Sequence, residues 1–250
     1  MTTTQTVLVT GAASGIGKAT AGLLLEQGHE VVALDLMNEA LATALVGHNG
    51  DRLALCAADV SKTEDCAAAV DAAVKRFGKL DAVLHFAAVH SSRYWSELTA
   101  EEFNRVLAVN VTGSFLIAQA AARHMIERKS GSIVLTASGS VLLGPVGGGA
   151  GQGGPAYVTS KAAITGLVRT LARSLGPSGI RVNAIAPGVT ETPMIASYSP
   201  ETKAAQASRF PLGRIGQPED IASVGAFLIS DAARFITGEV MIVNGGSNFG

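Results

Sequence analysis

The stretch TGAASGIGKAT, residues 10–20, decides the fold. It follows the apolar run TVLVT at 6–10 and opens a segment with helical spacing at 15–27. Gly11, Gly15 and Gly17 therefore lie between a buried strand and a helix. Glycine permits a tight turn and lets the backbone approach a pyrophosphate. The free amides and dipole of the helix N-terminus then face the anion. The spacing is not GxGxxG, and no Lys-Ser or Lys-Thr pair follows the last glycine, so it is not a P-loop. An ordinary glycine-rich turn would look the same locally. Asp35 sharpens the reading. It ends the next apolar run, VVALD at 31–35, about 20 residues beyond the turn, where a carboxylate can accept both ribose hydroxyls. It would repel a 2′-phosphate, and Leu36 after it offers no positive charge. NAD is thus expected rather than NADP. A strand-ending aspartate at a turn is common, but that alternative leaves the pairing with Gly11–Gly17 unexplained.

Outward from this unit the pattern repeats. Apolar runs recur at 53–57, 82–86, 133–137, 181–186 and 239–243, near-continuous as in strands buried on both faces. Helical spacing occupies 38–47, 63–77, 99–128, 155–175 and 218–230. Ser61, three residues before Glu64, and Thr99, before two glutamates, are candidate caps. Alternation of strand and helix implies parallel strands with right-handed crossovers, an α/β fold. No boundary, repeat or charged tail divides the chain, so one domain over residues 1–250 is expected.

The composition excludes several functions. The net charge is −1, without a long basic block, which argues against nucleic acid and anionic membranes as partners. No long uncharged apolar run is evident, and MTTTQTVLVTG does not read as a signal peptide. Cys56 and Cys66 have no metal-ligand partners at useful spacing, nor do the five histidines form a metal pattern. No metal is expected, and a reducing, cytoplasmic location is. Hydrophobic residues make up 48% and charged residues 16%, a balance that leaves surface for contacts between subunits.

A second glycine-rich stretch, GPVGGGAGQGG at 144–154, has no strand feeding into it. It reads either as a flexible wall or lid near the site or as a tolerated surface insertion. Pro155 suits the first turn of the helix that follows. On that helix Tyr157 and Lys161 are four apart and share a face. A fixed lysine charge, helped by an oxidised nicotinamide, stabilises a phenolate. That phenolate can take a proton from an alcohol as its carbon gives up hydride.

These pieces resemble the short-chain dehydrogenase/reductase family. The resemblance rests on TGAASGIG at 10–17, Asn110 in VNVTGSF, Ser138 in IVLTASGS, YVTSK at 157–161 and NAIAPGVTETPM at 183–194, in that order, and runs to the terminal VNGGSNF. It implies a Rossmann-type, doubly wound, seven-stranded parallel sheet in a single domain. It also implies a homo-oligomer, with a tetramer favoured, built through the helices near 99–128 and 155–175. Carried over, Tyr157 is the general acid/base, and Lys161 binds the nicotinamide ribose and lowers the tyrosine pKa. Ser138 holds the substrate oxygen, and Asn110 holds a water leading to Lys161. On the cofactor side, Ser14 and Ile16 join the phosphate loop, Asp59 and Val60 match the adenine pocket, and Ala87 offers backbone. Pro187, Gly188, Thr190 and Thr192 match the carboxamide loop.

Two departures stand out. His85-Phe86-Ala87-Ala88 replaces the family's Asn-Asn-Ala-Gly, so Ala88 must adopt an ordinary backbone angle. Ser138 and Tyr157 lie 19 positions apart, more than the family spacing, so the glycine stretch is an insertion between them. Ser140 is a lesser candidate for the serine role. Loops 88–98, 139–155 and 188–210 should line the substrate pocket, through His90, Trp95, Leu142, Leu143, Met194 and Tyr198. A solvated loop histidine is the readier reading of His90, and Trp95 and Tyr198 could equally be packing or interface residues. His85 reads as a packed strand residue. The expected activity is NAD-dependent hydride transfer between nicotinamide and a neutral apolar or cyclic secondary alcohol or ketone. The rivals are a 3-oxoacyl-thioester reductase and a catalytically idle NAD-binding sensor.

Overall fold

The glycine turn at 10–17 does join a strand to a helix. In the computed structural model, which describes residues 4–48, 50–145, 147 and 153–249, β1 (Thr6–Thr10) is buried along its whole length. It leads to α1 (Gly15–Glu26). The chain then alternates: β2 (Glu30–Asp35), α2 (Asn38–Ala44), β3 (Leu53–Ala57), α3 (Thr63–Phe77), β4 (Ala82–His85). After α4 (Ala100–Leu107) and α5 (Gly113–Arg128) come β5 (Gly131–Thr136), α6 (Ser140–Leu143), α7 (Pro155–Leu175) and β6 (Ile180–Pro187). The last elements are α8 (Pro200–Ala207), α9 (Pro218–Ile229) and β7 (Val240–Val243).

The seven strands form one sheet in the order β3-β2-β1-β4-β5-β6-β7. Every pairing is parallel. The order reverses between β1 and β4, and a crevice opens there at the carboxyl ends of the strands. Leu8, Val83, Ile133 and Leu135 pack on one face against Val70, Ile117, Met125, Ile164 and Val168. Val7, Val9, Leu84 and Val134 pack on the other against Leu24, Leu25, Ile221 and Leu228. The doubly wound, single-domain architecture read from the sequence is present.

The helix ends follow local rules. Helix α3 starts with Glu64 and Asp65, carries Lys75 and Arg76 in its last turn and stops at Gly78 in the left-handed region. Thr99 caps α4 by accepting from the Glu102 amide at 3.2 Å. Ser61 does not cap α3 as expected. Lys62 occupies that position, and the Ser61 hydroxyl donates to Asp59 at 2.7 Å instead.

The helix expected at 99–128 is not continuous α-helix. A π-helical turn, Ala108–Thr112, interrupts it. The combined helix is long and apolar enough to cross a membrane by length and composition, yet Ile117, Ala121 and Met125 are buried against the sheet. The near-continuous apolar run of β3 does not make it a doubly buried strand. It is the sheet edge, and its residues are only partly covered.

Candidate active site

The turn after β1 is as tight as its glycines imply. A Cβ placed on Gly17 would lie 2.1 Å from the Gly11 carbonyl oxygen, so only glycine fits there. Gly11 has φ +69° and abuts the Ala87 amide. Ser14 precedes α1 without capping it, and no acid sits in the first turn. The amides around Gly15 and Ile16 are thus left to face an anion. Asp35 ends β2 with its carboxylate fixed, accepting from Ala13 N at 3.0 Å and Leu36 N at 2.8 Å. Each oxygen keeps a lone pair for another donor. On observed geometry, this end of the sheet fits a dinucleotide.

The other expected cofactor residues ring the same crevice. Ala87 N donates to Thr10 Oγ1 at 3.1 Å, which ties the β4 end to the glycine turn. Asp59 accepts from Ser61 N and Oγ, which hold its carboxyl below the usual range. Val60 is buried beside Gly113. Pro187 ends β6, Gly188 packs on Asn244, and Thr190 Oγ1 donates to the Gly188 carbonyl at 3.0 Å. A Cβ on Gly15 would stand 3.1 Å from Thr192 Cγ2, so the loop after β6 reaches back over the turn after β1.

Ser138, Tyr157 and Lys161 converge beside it. Ser138 follows β5, and the Gly139 amide donates to the Pro187 carbonyl at 2.9 Å, fixing that corner. Tyr157 lies in the first turn of α7, behind Pro155. Lys161 is 3% exposed. Its Nζ lies 5.8 Å from the Tyr157 ring centroid and donates to the Thr136 carbonyl at 2.9 Å. Burial pulls the Lys161 pKa down to about 8. Burial also raises the Tyr157 pKa; a hydrogen bond with Ser138 opposes this, and the nearby Tyr198 adds to it. In the chain alone desolvation therefore sets the direction, and the expected lowering of Tyr157 by Lys161 is not seen.

Asn110 sits in the π-helical turn with its side chain fully used. Oδ1 accepts from Val89 N at 2.8 Å, and Nδ2 donates to Val89 O and Ser160 Oγ, each at 2.9 Å. It clamps the loop after β4 to α7 beside Lys161. Such turns recur at functional sites because one extra residue re-aims a side chain.

Ser140 was weighed only as a rival to Ser138, but the two hydroxyls work as a pair. Ser140 Oγ donates to Ser138 Oγ at 2.8 Å, and Ser140 N donates to it at 3.2 Å. Ser138 Oγ thereby accepts twice, and its own proton is the one it shares with Tyr157. The spacing of the two serines was the one available signal.

The pocket candidates divide. His90 stacks on Tyr157, with ring centroids 4.6 Å apart at 53°, and burial lowers its pKa. It is not a solvated histidine. Tyr198 is buried with Ile195, Phe210 and Ile215, so packing describes it, although it lies near Tyr157. Leu142 and Leu143, on α6, and Met194 are half-exposed, while Trp95 is 72% exposed. Ala88 has an ordinary backbone angle, as it had to.

Of the glycine stretch, residues 146 and 148–152 lie outside the described residues. Its two ends pack on the loop after β4. The Gly154 amide donates to the Ser91 carbonyl at 2.8 Å, and a Cβ on Gly154 would sit 2.3 Å from Arg93 O. One on Gly153 would sit 2.7 Å from Tyr157 Cδ1. Gly153, held by Gly154 against the loop after β4, is therefore a wall against the tyrosine.

The chain is similar to known proteins over nearly its whole length. A family described as Enoyl-(Acyl carrier protein) reductase matches residues 11–248. The chain is 39% identical over 245 residues to a cis-4-hydroxycyclohexanecarboxylate dehydrogenase of Sinomonas cyclohexanicum, covering 97% of this chain and 96% of that one. It is 34% identical to a 3-oxoacyl-[acyl-carrier-protein] reductase of Thermotoga maritima, covering 96% of each. A crystal structure from Brucella melitensis, titled as a short-chain dehydrogenase/reductase of the glucose/ribitol dehydrogenase type, superposes with TM-score 0.90 at 32% identity. That match covers 98% of this chain and 97% of the other.

Proposed function

Because the chain belongs to the short-chain dehydrogenase/reductase family, we propose that it is an NAD-dependent dehydrogenase interconverting a secondary alcohol and a ketone, with Tyr157 as general acid/base. The coarser description, an oxidoreductase acting on CH–OH groups, is the one its relatives share. The observation that carries the proposal is the convergence of Ser138, Tyr157 and Lys161 at the carboxyl edge of the sheet, beside the crevice between β1 and β4.

The turn Gly11–Gly17 would hold the pyrophosphate, Asp35 the adenosine ribose, and Asp59 and Val60 the adenine side. Ala87, Pro187, Gly188, Thr190 and Thr192 would hold the nicotinamide end, and Lys161 its ribose. When bound, the cofactor supplies the hydride acceptor or donor. Asp35 favours NAD, since its carboxylate already occupies the place where a 2′-phosphate would need a cation.

The chain supplies the proton chemistry. Ser138, held by two donations from Ser140, would turn its proton from Tyr157 to the substrate oxygen and stabilise charge developing there. Tyr157 removes the hydroxyl proton in oxidation and returns it in reduction. The Lys161 ammonium offsets the phenolate charge. Asn110 holds Val89 and Ser160 so that loop and helix keep their spacing.

Trp95, Leu142, Leu143 and Met194 are apolar and exposed, and would form an open mouth to the site. With His90 over the tyrosine, it suits a neutral apolar or cyclic alcohol; the Sinomonas relative is named for a cyclic one. A thioester carrier would need a patch of free cations, yet loop 188–210 supplies only Lys203 and Arg209, and Lys203 is paired with Glu191. We also propose a homo-oligomer, with a tetramer favoured, supported by exposed apolar side chains such as Phe115, Ile126 and Phe235. The test is a turnover screen with NAD and NADP against cyclic alcohols, ketones, sugars, steroids and 3-hydroxyacyl thioesters. NAD-linked oxidation of a cyclic secondary alcohol is expected. NADP-linked turnover of a thioester would replace this reading with the reductase one.

A further inference from the structure

The backbone around His90 is held in place, while the nitrogens of its ring are left unused. Both neighbours in sequence are clamped. Val89 donates from N to Asn110 Oδ1 at 2.8 Å and accepts at its carbonyl from Asn110 Nδ2 at 2.9 Å. Ser91 is 4% exposed. Its carbonyl accepts from the Gly154 amide at 2.8 Å, and its hydroxyl donates to Glu102 Oε1 at 2.7 Å. The chain on either side of His90 is thus tied to the π-helical turn, to α4 and to the start of α7. The ring itself lies against Tyr157, with centroids 4.6 Å apart.

Among the described residues, His85 Nε2 is the one buried side-chain polar atom without a partner. The His90 nitrogens have no partner there either, so they are not sealed in and remain reachable from outside the chain. Burial of the ring is the sole cause of its lowered pKa. At neutral pH the ring is therefore uncharged, with one donor and one acceptor nitrogen. Packing against the tyrosine alone would need only a flat apolar ring. A substrate seated at Tyr157 displaces water from these nitrogens. Unless it brings a polar group in exchange, a donor and an acceptor are left unpaired. Such a site favours the ligand with the matching oxygen and rejects the analogue without it.

We propose that His90 is a specificity-determining residue that hydrogen-bonds a second oxygen of the substrate, so that the preferred pair is a vicinal diol and its hydroxyketone rather than a simple monoalcohol and ketone. The proposal rests on the reading of Tyr157 as the acid/base. The His90 ring touches that tyrosine, so the second oxygen lies close to the reacting one. In oxidation the hydride leaves one carbinol carbon for the nicotinamide, and the proton of that hydroxyl passes to Tyr157. The second hydroxyl stays intact against His90.

The experiment measures kcat/KM for NAD-linked oxidation of cyclohexanol and of cis- and trans-cyclohexane-1,2-diol, in the wild type, His90→Phe and His90→Gln. The same compounds are titrated into the enzyme–NADH complex by fluorescence. The wild type should prefer the better diol isomer to cyclohexanol by about tenfold or more, chiefly through KM. His90→Phe keeps a flat ring but no nitrogen, so the ratio should collapse toward one. His90→Gln, with a donor and an acceptor but no ring, should retain part of the preference. A wild-type ratio near one overturns the proposal, and so does a ratio unmoved in His90→Phe. An equal loss on both compounds in His90→Phe leaves the ratio unmoved, which would reduce the ring to a support for Tyr157. Should the wild type turn over neither compound, the binding titration decides on the same terms, and diol binding no tighter than that of cyclohexanol overturns the proposal. Tyr157→Phe is run alongside. Turnover retained in that variant defeats the tyrosine reading itself, whereas an inactive Tyr157→Phe with an unmoved ratio in His90→Phe defeats only the role of His90.

Discussion

Asp35 shows how a single carboxylate is given a task by its surroundings. Its oxygens already accept from Ala13 N and Leu36 N, so the side chain cannot swing aside for a 2′-phosphate without giving up both bonds. Asp35→Ala should therefore relax the preference for NAD, raising kcat/KM with NADP relative to NAD by about tenfold or more, as the loss of one repulsive charge implies. An unchanged ratio would remove Asp35 from the specificity argument. Residues of this kind were legible in the sequence because their signal is local: Gly11, Gly17 and Asp35 lie on one strand–turn–helix–strand unit, and Tyr157 and Lys161 on one helix. The role of Asn110 toward Val89 was not, because the bond spans 21 residues and depends on a π-helical turn that leaves helical spacing almost unchanged. Ser61 misled for a related reason. Its hydroxyl donates to Asp59 instead of accepting from a helix amide.

The elements around the tyrosine explain why the insertion is glycine. Gly153 and Gly154 bring backbone against Tyr157 and Arg93 at distances no side chain allows. Gly153→Ala should push the tyrosine ring and lower kcat by about tenfold or more, with NADH affinity unchanged. Wild-type kcat in that variant would show that the wall does not position the ring. Helix α9 carries a different test. Gln217 and Asp220 form its capping box, and Arg214 donates twice to Asp220, at 2.6 and 2.8 Å. These bonds hold the Asp220 pKa down to about 2. A carboxyl with a lowered folded-state pKa stabilises the fold above the ordinary carboxylate range, and that contribution fades as pH falls from about 4 toward 2. Asp220→Ala should cost about 1 kcal/mol in urea unfolding at neutral pH, with the difference shrinking in acid. The short helices α6 and α8 were missed in the sequence because four and eight residues carry too little periodicity to announce themselves.

In the molecule as a whole, the sheet order places every element of the chemistry at one end. The crevice between β1 and β4 takes its floor from the turn after β1, one wall from the loop after β4 and the other from the loop after β6. A concavity of about 500 Å³ lies at the opposite end, among Thr4, Lys79, Asp81, Arg181 and Arg234. That is the amino-end side of the strands, where open α/β sheets do not place their ligands. The seven strands were readable because each run is short and apolar and most are followed by helical spacing, whereas the doubly wound order came only with the family resemblance. Substrate identity was not readable, since it depends on loop side chains such as Trp95 and Met194 whose positions no local pattern sets. The most direct test of the whole reading compares wild type with Tyr157→Phe in NAD-linked oxidation of the best cyclic alcohol, with NADH affinity measured in both. Turnover should fall by about 10²- to 10⁴-fold while NADH affinity holds. A Tyr157→Phe variant that keeps its turnover would contradict the assignment of proton transfer to Tyr157.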